Sequence, residues 1–330
     1  MAKNNTDISA TVISDGIAAL SSPVRFGLLI GSEIPSMACS LFVLYSFIFD
    51  PALRRSLPHH AIIILNIFGL LFKCVDVPFY LNFLLVGGVW PPTATYCLIW
   101  LLADYGFYNA CVMFTAWISI ERHILVYHDQ WLSTSRKRFF VHYLPMILIT
   151  GYLIAYYIWF TFFPPCENVY DYNLPACGAT PCFILHPIGG VWDAAVHGCL
   201  MVMIIVVFSI GLLVRVLLGK CRHHQALQWR QHRKMTLQLL SISSIFIIFG
   251  LPSATIIFFQ LCGISFEAGF AVLPYFFFGS YWVIFLTPFV CLNSLPNLKQ
   301  RIKKMFFISS RRQVTIGIAI MTAPQTTTRT

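Results

Sequence analysis

Asp104 is a lone carboxylate in an apolar run, with Tyr105 and Tyr108 close behind it. A carboxylate withdrawn from water asks for a cation partner, and the two tyrosine rings offer faces on which a cation can rest. The competing account is a structural hydrogen bond from neighbouring hydroxyls. Eighteen residues further on stands Glu121-Arg122-His123. That interval is five turns of about 3.6 residues, so Asp104 and Arg122 share one helix face. Lys73 and Asp76 are three residues apart, which puts them on one face and predicts a mutual ion pair. Asp193 and His197, four apart, are candidates for a cavity wall, although a polar pair at the membrane's outer leaflet is the preferred account.

Catalysis would want paired carboxylates or clustered histidines at a common depth. Glu33, Asp76, Asp104 and Asp193 instead fall in four separate runs without a recurring motif. A metal-dependent enzyme would want several histidines within those runs, and only His197 is placed near one. His59-His60 reads as a solvated basic turn, because adjacent histidines point different ways on a helix. No catalytic residue, metal ligand or cofactor is assigned.

The elements that must position these residues are set by composition. The 330-residue chain is 58% hydrophobic and 10% charged, with a mean hydropathy of +0.75, too apolar to hide in one soluble core. A helix crosses about 30 Å of hydrocarbon with about 20 apolar residues, and seven such stretches are present: 26–49, 60–86, 96–125, 139–163, 189–219, 235–262 and 268–294. They are continuously apolar, not alternating as membrane barrel strands are, and helices satisfy their own backbone in lipid. The expected fold is all-α, a seven-transmembrane helix bundle over 26–295. Residues 1–25 precede it, an amphipathic inner-leaflet helix is expected at 296–308, and a Thr-rich disordered tail at 309–330.

Charge orients the bundle. Arg54, Arg55, the run Arg136-Lys137-Arg138, the basic stretch from Lys220 to Lys234 and the tail from Lys299 to Arg312 all fall on one side. The other side holds Lys3 and Arg25 against Asp7, Asp15, Glu167, Asp171 and Glu267. The positive-inside rule therefore predicts an extracellular N-terminus and a cytosolic tail. The net charge of +10 is a topology signal, and no nucleic-acid partner is expected because the basic residues are spread over loops flanking the spans. The chain's first residues lack a charged start with an apolar run and cleavage site, so the first span is expected to act as signal anchor. Asn4-Asn5-Thr6 is a glycosylation sequon on the outer side.

Arg122 lies 25 residues after Cys97, and Trp90 lies seven before it. This pattern resembles the third transmembrane helix of rhodopsin-like (class A) G-protein-coupled receptors. The wording Ile120-Glu121-Arg122-His123-Ile124-Leu125-Val126 and Phe163-Pro164-Pro165-Cys166-Glu167-Asn168 is similar to invertebrate receptors of that family, over about 26–308. The resemblance implies that Asp104 holds a ligand's positive charge and that Tyr281, seven residues before Pro288, orients the carboxylate. It implies that Glu121 pairs with Arg122 at rest, and that activation frees the arginine to meet a heterotrimeric G protein. Other family marks are altered. Alignment from Asn66 and Trp90 puts Leu71 where the family has its sodium-binding aspartate. Helix six reads Phe249-Gly250-Leu251-Pro252 without the usual tryptophan, and helix seven reads Thr287-Pro288-Phe289-Val290-Cys291 without the tyrosine. Residues 268–294 contain no lysine for a retinal Schiff base.

Gly250, Ser253 and Ala254 around the helix-six proline imply a pocket wider than that of amine receptors. The expected ligand is an extracellular peptide or amide with a basic group, a monoamine second, for a receptor of the plasma membrane. The alternatives are a non-coupling or decoy receptor and, behind it, a membrane-embedded enzyme. Of eleven cysteines, Cys97, Cys166, Cys177 and Cys182 fall on the outer side, where four allow three connectivities. Cys97 is expected with Cys182, the nearest to span five, and Cys166 with Cys177 as a loop staple; Cys97 with Cys177 is the rival. The stapled, Pro-rich loop from 164 to 188 would roof the pocket.

Overall fold

The computed structural model describes residues 21–127, 129–178, 181–220, 226–263 and 267–294. The sequon at Asn4, the amphipathic helix expected at 296–308 and the tail lie outside the described residues. Seven helices are long and apolar enough to cross a membrane: α1 (Ser22–Phe49), α2 (Leu57–Val86), α3 (Ala94–Leu125), α4 (Ser135–Phe162), α5 (Gly189–Arg215), α6 (Leu237–Phe259) and α7 (Tyr275–Asn293). Each falls on one of the seven apolar stretches expected from sequence, and no strand occurs among the described residues.

Local chemistry sets the ends. Pro23 sits in the first turn of α1, where a missing N–H costs nothing. Gly87 ends α2 at φ 78°, a left-handed cap whose N–H bonds Phe83 O at 2.9 Å. The Thr93 hydroxyl accepts from Tyr96 N to start α3, and Thr134 does the same for Lys137 N before α4. Prolines 35, 78 and 252 lie inside α1, α2 and α6. Such prolines are tolerated in membrane helices because neighbours re-satisfy the freed carbonyls. Three π-helical turns among the described residues, Leu102–Phe107 in α3, Phe139–Tyr143 in α4 and Asp193–Leu200 in α5, widen the helix where the chemistry-bearing side chains sit.

α1 packs on α2 and α7, α2 on α3, α3 on α5, α5 on α6 and α6 on α7. α3 is the central rod, with 61% of its apolar window buried against 17% for α4. The outward faces carry bare apolar side chains such as Ile34, Phe49, Leu85 and Leu148. Water would penalise so much exposed hydrocarbon, whereas lipid does not, and the chain is a multi-pass membrane protein.

Two expectations about α2 are corrected. Lys73 and Asp76 do not pair: the Lys73 ammonium donates to Ser36 O and to the hydroxyls of Ser36 and Ser40 on α1, while Asp76 turns to α3. Shared face permits a pair, but three acceptors across the interface outcompete it. Leu71 is 39% exposed and faces outward, so it cannot occupy an inward aspartate's place. The inward residue is Gly69, whose added Cβ would stand 3.8 Å from Ile284 and 4.0 Å from Cys111 Sγ.

Candidate functional site

The loop after α4 is fastened twice, in a pairing that overturns the favoured one. Cys97 joins Cys177, and Cys166 joins Cys182. The reason is backbone handedness. Ala176, Cys177 and Gly178 all have positive φ (49°, 57° and 101°), a reversal that swings Cys177 back to the top of α3. Asp171 N bonds Cys177 O, and Tyr172 O accepts from Val89 N at 2.7 Å, tying this turn to the α2–α3 connection. Cys182 meanwhile opens a short helix, Cys182–Leu185, its N–H held by Asn168 Oδ1 at 2.8 Å.

That short helix drops Phe183 into the bundle, where it is buried between Tyr105 of α3 (ring centroids 6.2 Å apart) and Phe160 of α4 (5.5 Å). Its backbone rests on Gly189 and Gly190. A Cβ at Gly190 would stand 1.8 Å from Ile184 O, so only glycine lets the loop lie there. Sequence had indicated a roof but not its plug.

Beneath the roof, α2, α3 and α7 form a polar ladder. Trp100 Nε1 donates to Asp76 Oδ1 at 2.9 Å. Asp104 is one turn below Trp100 on α3, and Tyr108 one turn below Asp104, its ring against Phe72, one turn below Asp76 on α2. Tyr281 of α7 closes the ladder, its ring against Phe72 (5.6 Å) and Tyr80 (5.7 Å) and its hydroxyl beside Asp76. Asp104 acts electrostatically on Asp76, Tyr105, Tyr108 and Tyr281. Asp76 Oδ2 and both carboxylate oxygens of Glu33 are buried without a hydrogen bond among the described residues. Of the expected residues, Asp104, Tyr108 and Tyr281 are thus brought together and Tyr105 is turned toward the Phe183 plug. Asp76 and Glu33 join the ladder although neither was a candidate.

Asp193 and His197 do not join it. The π-helical turn of α5 points both at α4, where Tyr157 OH donates to Asp193 Oδ1 (2.8 Å), lies 2.9 Å from His197 Nδ1 and accepts from Asn109 Nδ2 (2.6 Å). His197 Nδ1 also meets Asp193 Oδ1 at 2.8 Å, and its Nε2 meets Tyr152 OH at 2.7 Å. His197 is fully buried with both ring nitrogens bonded, so the pair fastens α3, α4 and α5.

At the opposite end Glu121 does not pair with Arg122. Its Oε1 binds His142 Nδ1, His142 Nε2 meets His60 Nδ1 at 2.9 Å, and His60 Nε2 meets Arg54 O at 2.8 Å. Residues adjacent on a helix point about 100° apart, and a histidine on α4 stands where Glu121 points. The proton inventory follows from the acceptors. Arg54 O has no proton, so His60 Nε2 donates to it, and the contact between His60 Nδ1 and His142 Nε2 takes its proton from one ring or the other. Arg122, 1% exposed, donates Nη2 to Pro58 O at 2.9 Å, and its Nε and Nη1 have no hydrogen bond among the described residues. His123 Nε2 meets Phe208 O at 2.6 Å, a tie from α3 to α5.

Sequence reasoning passed over His142 and read His60 as part of a solvated basic turn, a reading the structure corrects, since both sit in apolar helices and are bonded to each other. The signal was available, since a histidine inside a span needs a partner. It also missed Phe249 of α6, whose ring lies against Gly279 of α7, 2.5 Å from where a Cβ would be. Cys291, in the tyrosine's place on α7, is buried and meets Asn66 Nδ2 at 3.5 Å. No group of three metal-ligating side chains occurs among the described residues.

No curated protein matches the chain. Among solved structures it is similar to squid rhodopsin, with a TM-score of 0.63 and 17% identity, over 87% of this chain and 86% of that one. The family model described as the 7 transmembrane receptor (rhodopsin family) matches residues 40–293. With seven membrane-length helices around a central rod that carries Asp104 toward its disulfide-bonded end and Arg122 toward the other, the chain belongs to the rhodopsin family of seven-transmembrane receptors.

Proposed function

We propose that the protein is a plasma-membrane receptor, N-terminus outside, that binds an extracellular peptide or amide carrying a basic group and activates a heterotrimeric G protein. The observation that carries this reading is the placement of Asp104 and Arg122 on one buried rod. Asp104 faces a ladder with spare acceptors and Arg122 has two unpartnered nitrogens at the far end. Ligand charge at Asp104 would bias α3 against α2 and α7, and the arginine end would release its hold on Pro58 and present the guanidinium to the G protein. A monoamine is the second ligand class.

The test is a second-messenger panel in cells expressing the receptor, challenged with amines and amidated peptides. A response to a basic ligand that Asp104→Asn abolishes is expected; an agonist that acts equally on Asp104→Asn removes the charge contact. Epitope tags on both termini of intact cells test the orientation, and labelling of the two on one face would overturn it. A second reading, a receptor that binds without coupling, is favoured by one observation: Glu121 is tied to His142 and Arg122 to a loop carbonyl, so the inner end is held by contacts other than an acid–arginine pair. Agonist-driven nucleotide exchange on purified G proteins separates the two.

A further inference from the structure

The ladder holds more carboxyl groups than one basic group can answer. Glu33, Asp76 and Asp104 face it from α1, α2 and α3; among the described cations near it, Lys73 is committed to Ser36 and Ser40 on α1, and Arg25 to Ser22 and the Tyr80 hydroxyl. Lys73 acts electrostatically on Glu33 and is absent from the charges that act on Asp76, which are Asp104 and Glu33, both acidic. The ion pairs among the described residues are His142–Glu121 and His197–Asp193, so neither Asp76 nor Asp104 has a basic side chain within salt-bridge distance there.

Asp76 is fully buried and only half used. Oδ1 is fixed by Trp100 Nε1, while Oδ2, with the Tyr281 hydroxyl beside the carboxylate, has no hydrogen bond among the described residues. A buried carboxylate oxygen without a bond is costly, and fixing one oxygen while leaving the other bare aims the second lone pairs at a missing donor. Asp104 lies one helical turn below the Trp100 rung on the facing helix, so the two carboxylates occupy successive steps of one ladder, floored by Phe72 and Tyr108 and walled by Tyr281. Metal ligation does not account for it, since no set of three metal-ligating groups is assembled among the described residues.

We infer that the ligand carries two cationic nitrogens a few bonds apart, one held by Asp104 and the other by Oδ2 of Asp76, with the tyrosine and tryptophan rings enclosing the chain between them. This rests on the receptor reading above for Asp104 and adds a second anchor to it. The shared chemistry is a dication, and two sources supply it: a free alkyl diamine, or the amine and basic side chain of a peptide's terminal residue.

The experiment uses the purified full-length receptor in lipid nanodiscs and pairs of probes that differ by one charge. One arm compares 1,5-diaminopentane with n-pentylamine, the other lysinamide with norleucinamide, each titrated against thermal unfolding. At least one doubly charged probe should bind about tenfold more tightly than its singly charged twin, the difference one charge-assisted contact makes. Asp76→Asn should bring it down to the level of the twin without altering the twin's own binding, and Asp104→Asn should weaken both. Preference for the diamine pair identifies a free diamine and preference for lysinamide a peptide terminus; either supports the inference. Equal binding of both members in both arms, no binding of any probe, or an Asp76→Asn receptor that keeps the full preference overturns it. Surface expression and unfolding of Asp76→Asn without ligand show that the variant is folded, and Asp76→Glu should restore the preference. Nucleotide exchange is measured separately, so a dication that binds without driving exchange leaves this inference standing and removes the coupling.

Discussion

Two polar clusters sit in the disulfide-bonded half of the same bundle, and they are built on opposite principles. Between α3, α4 and α5, Asp193, His197, Tyr157, Tyr152 and Asn109 use up one another's donors and acceptors. Between α1, α2, α3 and α7, Glu33 and Asp76 leave buried oxygens without a hydrogen bond among the described residues, and Asp104 stands beside them. In lipid a satisfied network acts as a rivet and an unsatisfied one is a standing cost that folding alone does not explain. The difference sets a bonded cluster against a bare one, in a region where sequence weighed Asp104 between a cation's partner and a structural hydrogen bond and preferred a polar outer-leaflet pair for Asp193 and His197.

The largest effect expected from that contrast is at Tyr157. Tyr157→Phe removes one hydroxyl, which leaves the Asn109 amide without its acceptor and takes one contact each from Asp193 and His197, a loss of about 1–3 kcal/mol for each buried group left unpaired. Stability of the unliganded receptor should fall by about 3 kcal/mol, read as thermal unfolding in nanodiscs. A loss no larger than that of a surface substitution would show that the cluster is not a rivet.

Asp104→Asn should do the reverse, with little change in thermal unfolding and about a tenfold loss of agonist potency, equivalent to about 1.4 kcal/mol. A third variant sharpens the contrast by sign. Asp76→Asn keeps an acceptor for Trp100 and removes a buried acid that stands beside the acids Asp104 and Glu33, so the unliganded receptor should be stabilised by about 1 kcal/mol. If Asp76→Asn instead unfolds as early as Tyr157→Phe, the acid ladder is structural and the distinction fails.

How far sequence reaches is visible in these same residues. Seven helices follow from the length of seven apolar runs, because backbone in lipid has so few solutions. Asp104 and Arg122 share a face because helix pitch is fixed, and counting suffices. What counting misses is what the neighbouring helix offers. Lys73 and Asp76 are correctly spaced to pair, but Ser36, Ser40 and Trp100 lie across the interface and take them separately. The disulfides went to the other connectivity because three consecutive positive-φ residues, invisible as a pattern, reverse the loop at Cys177. Leu71 and Gly69 differ by two positions, yet on a helix that is over half a turn, enough to exchange lipid for core.

The arginine end gives the smallest and most discriminating prediction. An acid paired with its neighbouring arginine would make Glu121 a lock by itself, and His142 a bystander. The observed chain from Glu121 through His142 and His60 to Arg54 O instead ties α3 to α4 and to the start of α2, so its members act as one link. Glu121→Ala and His142→Ala should each raise ligand-independent nucleotide exchange about two- to fivefold, the population shift that about 0.5–1 kcal/mol of lost hydrogen bonding produces. Because either change breaks the same link, the double variant should be no more active than the stronger single one, a non-additivity that a double-mutant cycle reads directly. A silent His142→Ala beside an active Glu121→Ala would return the lock to Arg122, and the Pro58 carbonyl would then be a resting place for the guanidinium and not its restraint.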